Sequence, residues 1–154
     1  MRYLIKSILS FLLLIFSLFS IAQSDQKVKW QYAVAKKGKN MYELRMTANI
    51  EKGWHLYSQQ QSADAIALPT NISFTKNPFI ELKGKPAEEG RLYDEVEAAT
   101  KTRSRYYTNK VVFVQQLVLK KNIKTAINGE IEFMVCDDRQ CLPPGTVKFS
   151  VKLQ

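Results

Sequence analysis

The sequence predicts an all-β chain, an immunoglobulin-like β-sandwich of about seven to eight antiparallel strands. Three observations carry this. Apolar and polar residues alternate with period 2 over much of the chain from Val28 onward. Turn residues interrupt that alternation at short intervals, and no stretch beyond the N-terminal region keeps the 3.6-residue period of an amphipathic helix.

The N-terminal residues read as an export signal. Arg2 and Lys6 give a positive start, Ile8 to Phe19 an apolar run, and Ser20-Ile21-Ala22 a small-x-small cleavage site. The run is shorter than the roughly 20 residues of a membrane-spanning helix, and no cysteine follows it to carry a lipid. Residues 1–22 are therefore expected to be a removable signal peptide and residues 23–154 a single exported domain, with no stable membrane insertion after cleavage.

Val28, Trp30, Tyr32 and Val34 share one face of a first strand, with Lys27, Lys29 and Gln31 on the other. Lys36-Lys37-Gly38-Lys39-Asn40 reads as a turn. Tyr42, Leu44, Met46, Ala48 and Ile50 then alternate with Glu43, Arg45, Thr47 and Asn49, so the two segments are expected to pair as a hairpin. Further strands are expected at Trp54–Tyr57, Thr70–Phe74, Phe79–Lys83, Val111–Leu119, Ile131–Cys136 and Thr146–Leu153. Gly53, Pro69, Asn77-Pro78, Gly84-Lys85-Pro86, Asn128-Gly129 and Pro143-Pro144-Gly145 separate them. The roughly 20-residue stretch from Lys85 to Arg105 is too long for an ordinary connection. It reads either as a flap over a site or as a solvated surface excursion.

The formal net charge is +9, of which Arg2 and Lys6 would leave with the signal. Most of the remaining basic residues are scattered singly and many alternate with apolar ones, as on a solvated sheet face. No nucleic-acid recognition motif is present, and no nucleic acid partner is expected.

The chain has two cysteines, Cys136 and Cys141. Extended chain would hold their Cα atoms roughly 16–18 Å apart, far beyond the 4.4–6.8 Å usual for a disulfide. Asp137 to Gln140 must therefore turn for the two to bond. Closing so small a loop stabilises the fold by roughly 2 kcal/mol, against about 4.7 for a loop of about 100 residues. No inter-sheet disulfide of the antibody kind is available, so the sandwich is expected to rest on apolar packing. Ile131, Phe133 and Val135 form the apolar set of their segment, which puts Cys136 on the opposite, reachable face. Arg139 lowers and Asp137 and Asp138 raise the thiol pKa. Structural zinc wants four Cys or His ligands, and one histidine with two cysteines falls short; a copper site would lack a supporting Met cluster. These residues leave two functions open: a redox carrier, or a non-catalytic immunoglobulin-like binding module with a structural hairpin disulfide.

Two motifs bear on the choice. Cys136-Asp137-Asp138-Arg139-Gln140-Cys141-Leu142-Pro143-Pro144 resembles the cysteine pair, following apolar residue and two prolines of the N-terminal periplasmic domain of the thiol:disulfide interchange protein DsbD. Gly53-Trp54-His55-Leu56-Tyr57-Ser58-Gln59-Gln60 resembles that family's glycine, aromatic strand and trailing polar residues. The resemblance implies an immunoglobulin-like domain that relays electrons from a membrane-embedded thiol reductase to oxidised, thioredoxin-like periplasmic proteins as a component of protein-disulfide reduction, without a cofactor. It implies that Cys141 forms mixed disulfides and Cys136 resolves them. It also implies a cap over the cysteines at Tyr93-Asp94-Glu95-Val96-Glu97, with Asp94 and Glu95 as its acidic residues and His55 and Tyr57 beside the pair. Val96 and Glu97 stand where related caps carry an aromatic shield, so a ring from the cap is not expected.

Overall fold

Nine strands and one helical turn are formed by residues 24–96 and 102–153, the part of the chain that the computed structural model describes. The expected signal peptide and the expected cap residue Glu97 lie outside the described residues. Among the described residues no helix is long and apolar enough to cross a membrane.

The helical turn α1 (Ser24–Lys27) leads into β1 (Val28–Lys36), which pairs antiparallel with β2 (Met41–Ile50) as the expected hairpin, Val28 opposite Ile50 and Lys36 opposite Tyr42. The alternation does what it predicts: Tyr42, Leu44, Met46, Ala48 and Ile50 are buried. Gly53, at φ 86°, occupies the left-handed region in the tight connection from β2 to β3 (His55–Tyr57). After a loop come β4 (Asn71–Phe74), β5 (Ile80–Val96), β6 (Arg103–Leu119), β7 (Thr125–Phe133), β8 (Val135–Cys136) and β9 (Gly145–Leu153).

The first sheet runs β1-β2-β6-β3-β8, and β5 occupies the other edge of β6; the second sheet is β4-β7-β9. Leu44, Met46, Leu56, Phe113, Leu117, Ile131, Phe133 and Phe149 fill the space between them, each worth roughly 1.5–3 kcal/mol on full burial. Rings bridge the layers: Trp30 of β1 meets Phe133 of β7 edge-on at 5.5 Å, and Tyr32 stacks on Phe149 of β9 at 5.1 Å. The expected immunoglobulin-like, all-β architecture is thus observed.

Three local expectations are corrected. The stretch Lys85–Arg105 is not a loop where it is described; β5 and β6, 17 residues each, form one long hairpin through it. Its register slips between Lys83 and Ala87 and between Gly90 and Leu92. Bulges of that kind bend and twist an edge strand and blunt it against further pairing. Asn128-Gly129 is not a turn but lies inside β7, with Gly129 opposite both Phe74 and Phe149. A Cβ at Gly129 would collide with the Ser73 carbonyl and lie 2.6 Å from Phe149 Cζ, so close packing requires the glycine here. Finally, Ile131–Cys136 is not one strand, because the chain changes sheets at Met134.

β6 is likewise two segments in one. From Lys110 to Val118 it pairs with β2, and from Tyr106 to Thr108 with β3. Asn109 sits between them at φ 61°, a conformation Asn tolerates better than most residues. Across from this point β5 advances only from Gly90 to Leu92 while β6 advances from Val111 to Tyr107, so the extra residues of this irregularity belong to β6, around Asn109.

Candidate functional site

Phe133 still pairs with Gly145 in the second sheet, while Val135 and Cys136 pair with Leu56 and His55 in the first. This switch overturns the parity argument for Cys136, which is 2% exposed and not reachable as the alternation suggested. Cys141, by contrast, is exposed. The chain between them turns as the spacing demands. Asp137 N–H donates to the Gln140 carbonyl at 2.9 Å, and Asp137 Oδ1 accepts from the N–H groups of Arg139 and Gln140 at 2.8 Å each. This is an Asx-type turn, and Leu142 N–H closes it on the Val135 carbonyl at 3.0 Å. The Cα atoms of the cysteines come within 4.0 Å and the sulfurs are bonded. Those two backbone N–H groups hold the Asp137 carboxyl below the usual carboxylate range, with the charges of Arg139 and His55 adding to the effect.

Three strands wall a groove of about 550 Å³ over the disulfide. β3 contributes His55 and Tyr57, which share one face while Leu56 turns into the core. β6 contributes Ser104 and Tyr106, again the face opposite the buried Tyr107. The outer end of β5 contributes Glu95 and Val96. His55 is the cross-strand partner of Cys136. Tyr57, 3% exposed, packs with Cys136 and Ala67, and Tyr106 and Met134 lean on that cluster.

Tyr106 is the hub. Its ring lies 4.7 Å from His55 and stacks on Tyr93 at 5.3 Å, and its hydroxyl donates to Glu95 Oε2 at 3.2 Å. Burial pushes its phenol pKa up, and the neighbouring Glu95 adds to that. A ring beside the cysteines is therefore supplied by β6 instead of the cap. Sequence reasoning missed Tyr106, together with Ser104, Ala67 and Met134. The signal lay in the backward continuation of the Val111–Leu119 alternation, which assigns Ser104 and Tyr106 to one face and Arg105 and Tyr107 to the other.

The two acidic residues expected in a cap part company. Glu95 faces the groove, whereas Asp94 lies on the opposite side of β5 and is clamped by Arg103 (Nε to Oδ1, 2.5 Å; Nη2 to Oδ2, 2.9 Å) and Arg105 (3.3 Å). The Arg103 guanidinium bond, above all, holds the Asp94 carboxyl below its ordinary range. The far edge of β6 is held as well. Ser58 N–H and Gln61 Nε2 donate to the Arg105 carbonyl, Arg105 N–H donates to Gln61 Oε1, and Ser62 Oγ donates to the Arg103 carbonyl. Glu88 of β5 accepts from Ser58 Oγ, Gln59 N–H and the Tyr107 hydroxyl at 2.6–2.7 Å. The polar run after Tyr57 thus fastens the hairpin to the rest of the sheet. Among the described residues, no group of three or more His, Cys, Asp or Glu could hold a metal ion.

Chemically, the arrangement presents one sulfur to an incoming thiolate and keeps the other behind it, beside an imidazole and two phenols. No curated protein matches the sequence. The family described as thiol:disulfide interchange protein DsbD, N-terminal, matches residues 20–153. Among solved structures, the chain is similar to the N-terminal domain of DsbD from Neisseria meningitidis in the reduced form, with TM-score 0.53 and 14% identity over 82% of this chain and 86% of that one. It is also similar to the N-terminal periplasmic domain of ScsB from Proteus mirabilis, with TM-score 0.53 and 13% identity over 88% of this chain and 49% of that one. At these identities the likeness is one of fold.

Proposed function

Because the chain belongs to the family of the N-terminal domain of the thiol:disulfide interchange protein DsbD, we propose that it is an exported domain that exchanges thiols and disulfides through Cys136 and Cys141. In this reading residues 1–22 are removed on export, and the domain relays electrons in the periplasm from a membrane-embedded thiol reductase to oxidised thioredoxin-like proteins.

The observation that carries the reading is the asymmetry of the pair, an exposed Cys141 bonded to a buried Cys136. A donor thiolate attacks Cys141 Sγ, the Cys141–Cys136 bond breaks, and Cys136 leaves as thiolate. The donor's second thiolate then releases Cys141 and closes the donor's own disulfide, so two electrons have moved. In the second half-cycle, Cys141 attacks an acceptor disulfide and Cys136 resolves the mixed disulfide, leaving the acceptor reduced. The Asp137 turn keeps the two sulfurs in register through both halves.

The test is the reduction potential of the pair, from equilibration in graded thiol buffers with trapped free thiols counted by mass. A midpoint between roughly −180 and −270 mV supports exchange, and one below about −300 mV marks a structural disulfide and a binding module.

A further inference from the structure

His55 is the chain's one histidine, and the fold delivers it to the disulfide as the cross-strand partner of Cys136. Directly opposed side chains on one face of an antiparallel pair stand about 4.5–5.5 Å apart at Cβ, and both residues line the same groove. We propose that His55 is the proton donor and acceptor of the redox pair, protonating the Cys136 sulfur when the disulfide opens and taking that proton back when it closes. The inference rests on the exchange reading above.

The need for such a group follows from where Cys136 sits. When a donor thiolate attacks Cys141, the electron pair of the broken S–S bond goes to Cys136, a 2% exposed sulfur. A thiolate there is disfavoured by burial and by nearby negative charge. The titratable and charged groups facing the site are Tyr57 of β3, Tyr106 of β6, Glu95 of β5, and Asp137, Asp138 and Arg139 of the turn. Asp137, held below the carboxylate range by its two backbone N–H groups, carries no proton to give at neutral pH. Tyr106, pushed up by burial, holds its proton too tightly. Arg139 is a guanidinium and does not release one. Imidazole is the side chain whose ordinary titration falls between pH 5 and 8.

The balance is simple. The donor thiolate's sulfur bonds to Cys141, the Cys136–Cys141 bond breaks, and imidazolium passes its proton to the departing Cys136 sulfur, leaving neutral His55. In the oxidising half-cycle, neutral His55 takes the proton from the Cys136 thiol as its sulfur attacks Cys141 in the mixed disulfide. The acceptor's thiolate leaves, and the imidazolium is restored.

The experiment is reduction of the oxidised domain by dithiothreitol from pH 5 to 9, with rate constants expressed per donor thiolate. It is run on the wild type, on His55→Gln and on His55→Phe, which keeps a ring against Tyr106. In parallel, the single histidine of the oxidised wild type is titrated by NMR. The wild-type rate constant is expected to fall as pH rises through the imidazole midpoint seen by NMR. Both variants should lose that inflection and run about tenfold or more slower on the acid side. A wild-type inflection away from the imidazole midpoint overturns the inference and needs no variant to fold. A readily reduced wild type whose profile the variants reproduce overturns it while leaving exchange intact. A wild-type pair that resists reduction overturns both.

Discussion

Tyr93 and Tyr106 lie face to face across the β5–β6 ladder, their rings 5.3 Å apart and 5° from parallel. Tyr93 lies on the outer end of β5 and Tyr106 in the wall of the cysteine groove, so the stack ties that end of the hairpin to the groove wall. Glu95, accepting from the Tyr106 hydroxyl, adds a polar tie on the same face.

Tyr106→Ala removes the stack, the tie to Glu95 and the ring against the Cys136 cluster together. Reduction of the disulfide by a small thiol is expected to accelerate. Stability in urea is expected to fall by about 1 kcal/mol for the lost ring pairing, beyond the loss from burial. A faster reaction at unchanged stability would mean that the ring covers the site without bracing it; an unchanged reaction rate would remove the shielding role.

Asp94→Asn unclamps the face of the outer β5–β6 hairpin that lies away from the groove. The folded carboxyl is depressed, chiefly by the side-chain bond from Arg103 and then by its charge and that of Arg105. A depressed folded value means that the clamp is fully present above the ordinary carboxylate range and is lost as pH falls through the lower folded value. Hydrogen exchange, corrected for intrinsic rates, is expected to be faster at residues 93–96 and 103–105 in the Asn variant at neutral pH. The wild type should approach the variant on acidification. Equal protection at neutral pH would show that the Gln61 and Ser62 bonds to β6 hold the hairpin without the clamp.

Gly129→Ala tests the close approach of the second sheet. The added methyl meets the Ser73 carbonyl and Phe149, and overpacking of that kind costs about 1–3 kcal/mol. A lower urea midpoint with an unchanged slope is expected. A neutral result would mean that β4 and β9 yield without loss.

The same residues explain what was legible in advance. The β1–β2 hairpin could be read because each strand buries one face and wets the other, which writes the period directly into the sequence. The outer β5–β6 hairpin could not: β5 is an edge strand exposed along most of its length, so no alternation is required of it. Its Gly84-Lys85-Pro86 lies in a bulge between Lys83 and Ala87, yet reads as a separator between strands. Gly129 misled for a different reason, since the glycine answers a neighbour's bulk and that neighbour is distant in sequence. Cys136 was assigned to the wrong face because period 2 carries through a strand only while the strand stays in one sheet. The turn between the cysteines, by contrast, followed from chain geometry alone.

Asn109, where β6 trades β2 for β3 as its neighbour, divides one continuous strand between two different sets of demands. On the inner side, Val111 to Gln115 are buried without interruption and tolerate little change. On the outer side, residues 103–108 border the groove, with Ser104 and Tyr107 buried, Arg103 exposed and the others half-buried. Over evolutionary time the two ends of the strand are therefore free to drift at different rates. A lineage can remodel the surroundings of the disulfide while the sandwich that supports it stays the same.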